Sequence, residues 1–354
     1  MSLSPVQAAA RASVRTLLSL PSRVLRTLAG PPRRREGDGQ ALDLQIQVLL
    51  RGSEITGMDI EATDETVERG RRRMEEGAFL VDLFPSITVH TREVHIPSPH
   101  GTIPSRLYTP IGAPERGPLV VYYHGGGWVR GSLQSHDGVC RSLAAHAHVR
   151  ILAVDYRLAP EHRYPAAADD AVTAFRFVAR EAEALGGDAS QLAVAGDSAG
   201  GNLAAVVALE TREDDVRPTF QLLVYPATDM TRSHPSHQLF ANGFMLTKAS
   251  MDYFLDQYQP DPLRYREWRA SPLFAPEVSG APAAMVITAG FDPLRDEGKA
   301  YADKLRAAGV PVEYVCAESM VHGFFSMAGA VTEARRVFDR ATRSVRRWAD
   351  SPAG

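Results

Sequence analysis

Apolar residues follow two different spacings along the chain, and the change falls near residue 90. Before that point they recur every three to four positions, as in amphipathic helices. This spacing continues in LDLQIQVLL and in ETVERGRRRMEEGAFL, so residues 41–85 are predicted to be helical. In residues 1–40 it is interrupted at Pro21 and is carried by Val6, Ala10, Val14, Leu17, Leu18, Leu25 and Leu28.

After residue 90, short apolar runs alternate with helical patterns. TREVHIPSPHGTIPSRLYTP predicts an antiparallel hairpin, because two β-rich runs flank a turn containing proline and glycine. Further strands are predicted at PLVVYY, RILAVDY, LAVAG, FQLLVY, AAMVITAG and PVEYVC, separated by helices such as AAADDAVTAFRFVAREAEAL and GGNLAAVVALE; VTEARRVFDRATRSVRRWAD is a closing helix. Near-continuous apolar strands between helices indicate an α/β fold with a mostly parallel sheet covered on both faces.

The segment between the strands at residues 224 and 285 is too long for a connecting loop, and we predict helices of its own. Its large apolar residues are expected to line a pocket or, for most of them, to form a local core; they are Phe240, Phe244, Met245, Met251, Tyr253 and Phe254.

Composition excludes some classes of protein. A chain of 354 residues with 44% hydrophobic and 23% charged residues is typical of a soluble globular protein. The net charge of −3 gives no reason to expect nucleic acid as a partner, and no apolar run is long enough for a membrane span. Cys140 and Cys316 fit no metal or redox spacing, so we expect two reduced, buried thiols in a cytoplasmic protein.

Residues 1–40 form an arginine-rich extension with three interpretations. Its helices pack on the main body, which we favour, or form a surface-seeking amphipathic arm with peripheral membrane contact, or act as a targeting segment. A secretory signal is disfavoured, because arginines interrupt every apolar run.

The stretch LAVAGDSAGGNLAAVVALE places an acid and a serine where a strand gives way to a helix. Gly196-Asp197-Ser198-Ala199-Gly200 fits the G-x-S-x-G nucleophile elbow. The sharp turn leaves no room for side chains two positions before and after the serine, which accounts for both glycines. The turn would hold the Ser198 hydroxyl over the C-terminal edge of the sheet, beside the first N–H groups of the helix.

A serine nucleophile needs a general base, and the base needs an orienting acid. Three histidines follow the serine. His234 and His237 lie in the inserted segment and are expected to be solvent-facing loop residues, whereas His322 follows the last strand and is the predicted base.

The predicted acid is Asp292, at the end of the strand AAMVITAGF. Pro293 is expected at the first position of the next helix, which would make Asp292 its N-cap as well. Asp296 and Glu297, expected inside that helix, are the weaker candidates.

His124-Gly125-Gly126-Gly127-Trp128 follows another strand directly. Three successive glycines cost conformational entropy but present backbone N–H groups without hindrance from a Cβ. With the N–H of Ala199, they would form an oxyanion hole. His124 is expected to brace the loop, and Trp128 to pack against it or to form a wall of an acyl pocket.

The chain resembles the hormone-sensitive-lipase-like (bacterial family IV) carboxylesterases of the α/β-hydrolase superfamily, through HGGGW, DYRLAPEHRYPAA, GDSAGGN, DPLRDEG and VHGF in that order. The resemblance covers roughly residues 41–350. It implies an α/β-hydrolase fold with a helical cap, Ser198, Asp292 and His322 as the catalytic triad, and Gly126, Gly127 and Ala199 as the oxyanion hole. It also implies that Glu161 braces the site. The expected division is an extension (1–40), the first part of the cap (41–85), the catalytic domain (86–225 and 276–354) and the inserted part of the cap (226–275).

The function implied is hydrolysis of small esters with short to medium acyl chains, without metal or organic cofactor. Amide or arylformamide hydrolysis and deacetylation of a small molecule use the same triad and remain alternatives. A non-catalytic receptor is the distant alternative, because such relatives typically lack the histidine that this chain has. A homodimer through the last strand and helix is a further expectation from the resemblance.

Overall fold

The computed structural model describes residues 4–56, 63, 65–83 and 88–351. Within them, one sheet has the strand order β1-β2-β4-β3-β5-β6-β7-β8. Its strands are β1 (Val89–Ser98), β2 (Gly101–Pro110), β3 (Gly117–Tyr123), β4 (Arg150–Val154), β5 (Gly187–Asp197), β6 (Phe220–Val224), β7 (Ala283–Phe291) and β8 (Val312–Val321). The β1–β2 hairpin and the β2–β4 pair are antiparallel, and every other pair is parallel.

Helices flank this sheet and fill most of the connections. In the described ranges they are α1 (Pro5–Leu18), α2 (Ser22–Ala29), α3 (Leu44–Thr56), α4 (Val67–Val81), α5 (Asp137–Ala147), α6 (Ala166–Glu181), α7 (Ala199–Glu210), α8 (Ser236–Leu239), α9 (Lys248–Tyr258), α10 (Arg295–Ala307) and α11 (Thr332–Ala349). The α/β fold class with a mostly parallel sheet is therefore confirmed.

Both faces of the sheet are buried, which explains the continuous apolar strands. In β3, Val120 and Tyr122 join the core beneath α5 and α11, while Leu119, Val121 and Tyr123 join the core beneath α6, α7 and α10. Successive side chains of a strand point to opposite faces, so a sheet covered twice needs apolar residues at every position.

The N-terminal helices pack against the body of the protein. Leu18 and Leu25 are buried in the same core as α5 and α11, and Arg11 donates a hydrogen bond to the carbonyl oxygen of Asp82 at 3.0 Å. Val6 and Leu28 remain exposed, so only part of the apolar pattern is used for packing. None of the helices in the described part of the chain is long and apolar enough to cross a membrane.

The segment inserted between β6 and β7 contains α8 and α9. Phe240 is buried and, with Phe244, packs on Phe291 at the end of β7, while Met251 is buried within the insertion. Met245 is 55% exposed, so the expectation that it joins a local core is wrong.

The carboxyl group of Asp82, which directly follows α4, is buried against α5. A Cβ atom on Gly138 would lie 2.0 Å from Asp82 Oδ2, and Asp82 Oδ1 accepts a hydrogen bond from the N–H of Leu83 at 2.8 Å. Burial raises the pKa of Asp82 to about 7. The protonated form is therefore favoured in the folded protein.

We expect Asp82→Asn to stabilise the protein at pH 8 but not at pH 4. A carboxyl whose pKa is raised by folding contributes stability at low pH and loses it as pH rises from its unfolded pKa, about 4, through about 7. The amide carries no such loss, so its advantage at pH 8 is at most about 4 kcal/mol. Urea unfolding at both pH values, beside the exposed control Asp215→Asn, measures it. An equal effect at both pH values would contradict it.

Candidate active site

Ser198 occupies the sharp turn between β5 and α7. Its backbone has φ +56° and ψ −120°, and its N–H donates to the carbonyl oxygen of Val224 at 2.9 Å. A Cβ on Gly196 would lie 2.3 Å from the carbonyl oxygen of Gly200, and one on Gly200 would lie 1.9 Å from that of Tyr123. The turn therefore excludes side chains at both glycines and stores backbone strain at the serine.

His322 joins Ser198 to Asp292 by two hydrogen bonds. His322 Nε2 lies 2.8 Å from Ser198 Oγ, and His322 Nδ1 lies 2.8 Å from Asp292 Oδ2. Asp292 is fully buried, whereas the serine and the histidine are partly exposed. Gly323, with φ +79°, allows the chain to turn directly after the histidine. The fold thus brings together three predicted residues from the ends of β5, β7 and β8.

The helix after Asp292 begins later than predicted. α10 begins at Arg295 with Leu294 as its N-cap, so Pro293 is not its first residue and Asp292 is not its cap. Instead, Asp292 Oδ1 accepts from the N–H of Leu294 at 2.9 Å and closes a turn ahead of the helix. Because Leu294 occupies only Oδ1, the second carboxylate oxygen of Asp292 is left for His322.

The two weaker candidates for the acid face the inserted segment. Asp296 Oδ2 accepts from the N–H of Ser236 at 2.9 Å, and Glu297 Oε1 accepts from the N–H of Thr228 at 2.6 Å. Both lie in the first turn of α10, as expected. Neither has a hydrogen bond with His322 among the described residues.

The expectation that His237 faces solvent is wrong. It is buried, and its Nε2 lies 2.7 Å from Glu297 Oε2. Burial opposes the charge on His237, but the neighbouring carboxylate outweighs burial and raises the pKa of His237. His234 is partly buried, with Nε2 3.6 Å from Asp229 Oδ2. Helix α8 docks on α10 here, a contact between distant segments that loop composition does not indicate.

The glycine loop after β3 holds unusual backbone conformations. Gly126 has φ +127° and Gly127 has φ +62°. A Cβ would lie 2.2 Å from the carbonyl oxygen of Arg130 in the first case and 2.5 Å from the ring of Phe254 in the second. The N–H groups of both glycines and of Ala199, the first residue of α7, donate to no backbone carbonyl oxygen in the described chain. Free N–H groups at a helix start and in a glycine loop suit a negative oxygen.

Asp197 anchors the glycine loop to the end of β5. Its buried carboxylate accepts from Tyr122 Oη at 2.8 Å and from the N–H of Gly125 at 3.0 Å, and it lies 3.3 Å from His136 Nε2. Burial alone would raise the pKa of Asp197, but His136 and the hydrogen bonds outweigh it, so the pKa is lowered. The charged carboxylate therefore ties the glycine loop to β5. Sequence reasoning missed His136, which follows no strand and carries no spacing signal.

The remaining loop residues pack. His124 is buried, stacks on Tyr156 with ring centroids 4.4 Å apart, and has Nδ1 2.9 Å from the carbonyl oxygen of Gly125. Burial lowers the pKa of His124 to about 3, which keeps it neutral. Trp128 stacks on Tyr258 of α9 with centroids 4.5 Å apart. These contacts favour bracing for His124 and packing for Trp128.

Helix α4 reaches the same region through Arg71. Its guanidinium donates to both carboxylate oxygens of Glu161, at 2.9 and 2.7 Å, and to the carbonyl oxygens of Val129 and Ala159. Glu161 thus contacts a helix of the N-terminal region, which is compatible with a bracing role.

Two groups, one beside His322 and one beside Phe254 of α9, were not singled out as site residues by sequence reasoning. The ring of Tyr225, which directly follows β6, lies against that of His322 with centroids 4.5 Å apart. The guanidinium of Arg130 lies 5.3 Å from the ring centroid of Phe254. Tyr225 has no sequence signal beyond its place directly after β6, and Arg130 has no sequence signal.

Both cysteines are free thiols, but only Cys140 is buried; Cys316 is partly exposed, contrary to expectation. Burial raises the pKa of both thiols. Over the described ranges, no group of three His, Cys, Asp or Glu side chains is placed to hold a metal ion.

Comparison with known proteins agrees with this geometry. A family profile described as alpha/beta hydrolase fold matches residues 120–326. The chain is 43% identical to carboxylic ester hydrolase LipN of Mycobacterium tuberculosis, over 82% of this chain and 78% of that protein. It is 38% identical to an ethyl acetate hydrolase of Pseudomonas putida, over 75% and 86%.

Solved structures give the same result. An ester hydrolase, EH1AB1, from the metagenome of Lake Arreo superposes with a TM-score of 0.83 at 38% identity, over 86% of this chain and 98% of that one. A hyperthermophilic esterase from Pyrobaculum calidifontis superposes with a TM-score of 0.79 at 37% identity, over 86% and 98%.

Proposed function

The chain belongs to the hormone-sensitive-lipase-like family of α/β-hydrolases and is a serine carboxylesterase, and from this we propose which residues act and on which substrates. Ser198, His322 and Asp292 carry out the reaction. The substrates are esters with short to medium acyl chains. The observation that supports these roles is the pair of 2.8 Å hydrogen bonds that His322 makes with the other two side chains.

In the mechanism we propose, His322 Nε2 accepts the proton of Ser198 Oγ as that oxygen attacks the ester carbonyl carbon. The carbonyl oxygen becomes an oxyanion and accepts hydrogen bonds from the N–H groups of Gly126, Gly127 and Ala199. His322 then donates its proton to the departing alcohol, which leaves an acyl-serine. Water, activated by the same histidine, releases the acid, and Asp292 stays ionised throughout.

We propose that the inserted part of the cap limits the acyl chain. Phe254 of α9 lies against Gly127, within the loop assigned to the oxyanion, so an aromatic ring stands close to the reacting carbonyl. This supports a preference for acyl chains of roughly four to eight carbons. The name of one relative, ethyl acetate hydrolase, agrees with a small substrate.

The division into extension, cap and catalytic domain remains a proposal. It is supported by the contacts that α4 and α9 make with the loops around Ser198. The boundary placed at residues 85 and 86 lies outside the described residues. A cytoplasmic location is proposed from the two free thiols.

The test is steady-state hydrolysis of p-nitrophenyl esters from acetate to decanoate, together with the matching p-nitroanilides. We expect kcat/KM to peak between butanoate and octanoate and the anilides to react far more slowly. Activity that rises steadily towards emulsified long-chain triglycerides would contradict the proposed chain length. Anilide rates equal to ester rates would favour the amide-hydrolase alternative.

The ring at the glycine loop supplies a sharper form of this test. Phe254→Ala is expected to move the optimum to longer acyl chains, because it removes the side chain that lies against Gly127. Tyr253→Ala is the matched control, since this ring also lies near Arg130, whereas the three atoms nearest to a Cβ on Gly127 all belong to Phe254. An unchanged optimum in Phe254→Ala would exclude that ring as the limit.

A further inference from the structure

The pairing of β7 with β8 is interrupted close to the C-terminal ends of both strands, just before Asp292 and His322. Ala289 pairs with Ala317, but the next pair is Phe291 with Val321. One residue of β7, Gly290, therefore faces three residues of β8, numbers 318–320, so β8 bulges. The strands approach closely here, because a Cβ on Gly290 would lie 2.0 Å from the carbonyl oxygen of Glu318.

This bulge controls where the functional residues lie. Asp292 directly follows β7 and His322 directly follows β8, so each is at most two residues from the interrupted pairing. A bulge bends its strand and redirects the side chains beyond it. The 2.8 Å contact between Asp292 Oδ2 and His322 Nδ1 therefore depends on how the bulge is held.

A loop of residues 33–43, which begins in the N-terminal extension, covers the bulge. The loop is closed by two backbone hydrogen bonds, from Arg35 to Gln40 at 2.8 Å and from Leu42 to Arg33 at 3.0 Å. It is attached to the bulge by a third, from the N–H of Asp43 to the carbonyl oxygen of Ser319 at 2.9 Å.

The side chain of Arg35 reaches across both strands. One terminal nitrogen donates to the carbonyl oxygen of Gly290 at 3.2 Å, and the other donates to Glu318 Oε2 at 2.8 Å. The guanidinium carbon lies 5.9 Å from the ring centroid of Phe291, the residue directly before Asp292. This side chain is only 10% exposed.

The loop fixes the orientation of that guanidinium. Arg35 Nε donates to Asp38 Oδ1 at 3.0 Å. The hydrogen bonds that Asp38 accepts from Arg35 and from the N–H of Gln40 lower the pKa of Asp38 to about 2. The guanidinium is planar and carries five N–H donors in a fixed geometry, so it can hold a carbonyl oxygen and a carboxylate on two strands at once. A lysine ammonium could contact the same carboxylate, but it does not have that fixed geometry.

We propose that Arg35 is a positioning residue for the reaction: it clamps the β8 bulge against β7 and thereby sets the Asp292–His322 contact. The inference rests on the proposed roles of these two residues. It assigns to the N-terminal extension a part in catalysis that the motifs around the active site do not reveal.

The test compares Arg35→Met with Arg35→Lys. The control is Arg34→Met, because Arg34 is the exposed neighbour whose side chain donates within the loop, to the carbonyl oxygen of Gly39. Turnover of p-nitrophenyl butanoate is divided by the concentration of active sites, titrated with an organophosphate. We expect Arg35→Met to lower kcat by about 10- to 100-fold with KM nearly unchanged, Arg35→Lys to recover part of the loss, and Arg34→Met to match the wild type.

A second readout does not require turnover. The proton between His322 Nδ1 and Asp292 gives a far-downfield NMR resonance when the hydrogen bond is short and sheltered. We expect it to broaden or vanish in Arg35→Met and to persist in Arg34→Met. Because no substrate is needed, this measurement separates failure of the inference from failure of the proposed ester hydrolysis.

Glu318→Gln completes the test, since it removes the negative charge that Arg35 contacts on β8. Added to Arg35→Met, it should cause no further loss in kcat, because both changes act on the same ion pair. If Arg35→Met does not fold, Arg35→Lys and Glu318→Gln carry the comparison. The proposal would be overturned if Arg35→Met had the wild-type kcat per active site and an unchanged NMR resonance, even with a lower melting temperature.

Discussion

Asp292→Asn is expected to lower kcat by about 10⁴-fold while the protein stays folded. The substitution preserves size, and the amide oxygen can still accept from the N–H of Leu294, the contact that closes the turn after β7. The second oxygen, which lies 2.8 Å from His322 Nδ1, becomes an NH₂ group. Two donors cannot face each other, so the imidazole takes the tautomer with its proton on Nε2 and cannot accept the proton of Ser198.

The matched control is Asp296→Asn. Asp296 also lies at the start of α10, but its carboxylate serves Arg295 and the N–H of Ser236. We expect this variant to keep nearly normal turnover of p-nitrophenyl butanoate, with circular dichroism and thermal melting recorded for both proteins. Near-normal activity in Asp292→Asn would move the acid to Asp296 or Glu297.

The parts of the site that sequence predicted have local causes. Gly196 and Gly200 are required by the contacts of one turn, and such steric demands remain visible in any five-residue window. The same holds for the glycine loop after β3, where φ is positive at Gly126 and Gly127. The strands were predicted from their apolar runs, because a sheet covered on both faces needs uninterrupted apolar residues. Their order in the sheet was not predicted.

The parts that sequence missed depend on docking between distant segments. His237 is polar and lies in a loop-like stretch, yet α8 packs on α10 and buries it beside Glu297. Arg35 belongs to the arginine-rich extension, for which packing on the main body was predicted but no contact with a particular strand. Its place on the β8 bulge follows only from the folded path of residues 33–43. Periodicity identifies which face of an element is apolar, but not which partner it meets.

Ser198→Ala is expected to lower kcat by about 10⁶-fold. The alanine keeps a Cβ, so the backbone at φ +56° carries no strain beyond that already present with serine. The change removes one hydrogen bond, from Ser198 Oγ to His322 Nε2, and with it the atom that forms the acyl-enzyme. Ester binding does not need this atom, so KM should change little, and residual turnover would come from water activated by His322 beside the free N–H groups.

Pre-steady-state release of p-nitrophenolate distinguishes this loss from partial unfolding. The wild type should show a burst stoichiometric with enzyme if deacylation is the slower step, and one equivalent of organophosphate should attach to the protein; Ser198→Ala should show neither. Ser142→Ala is the control, because Ser142 is also buried but its hydroxyl donates to the carbonyl oxygen of Leu83, away from His322. Full turnover in Ser198→Ala would place the nucleophile elsewhere, and the strained turn around residue 198 would then need another explanation. If turnover is lost in Ser198→Ala and not in Ser142→Ala, the strained backbone at φ +56° serves to expose one hydroxyl group at the helix N-terminus.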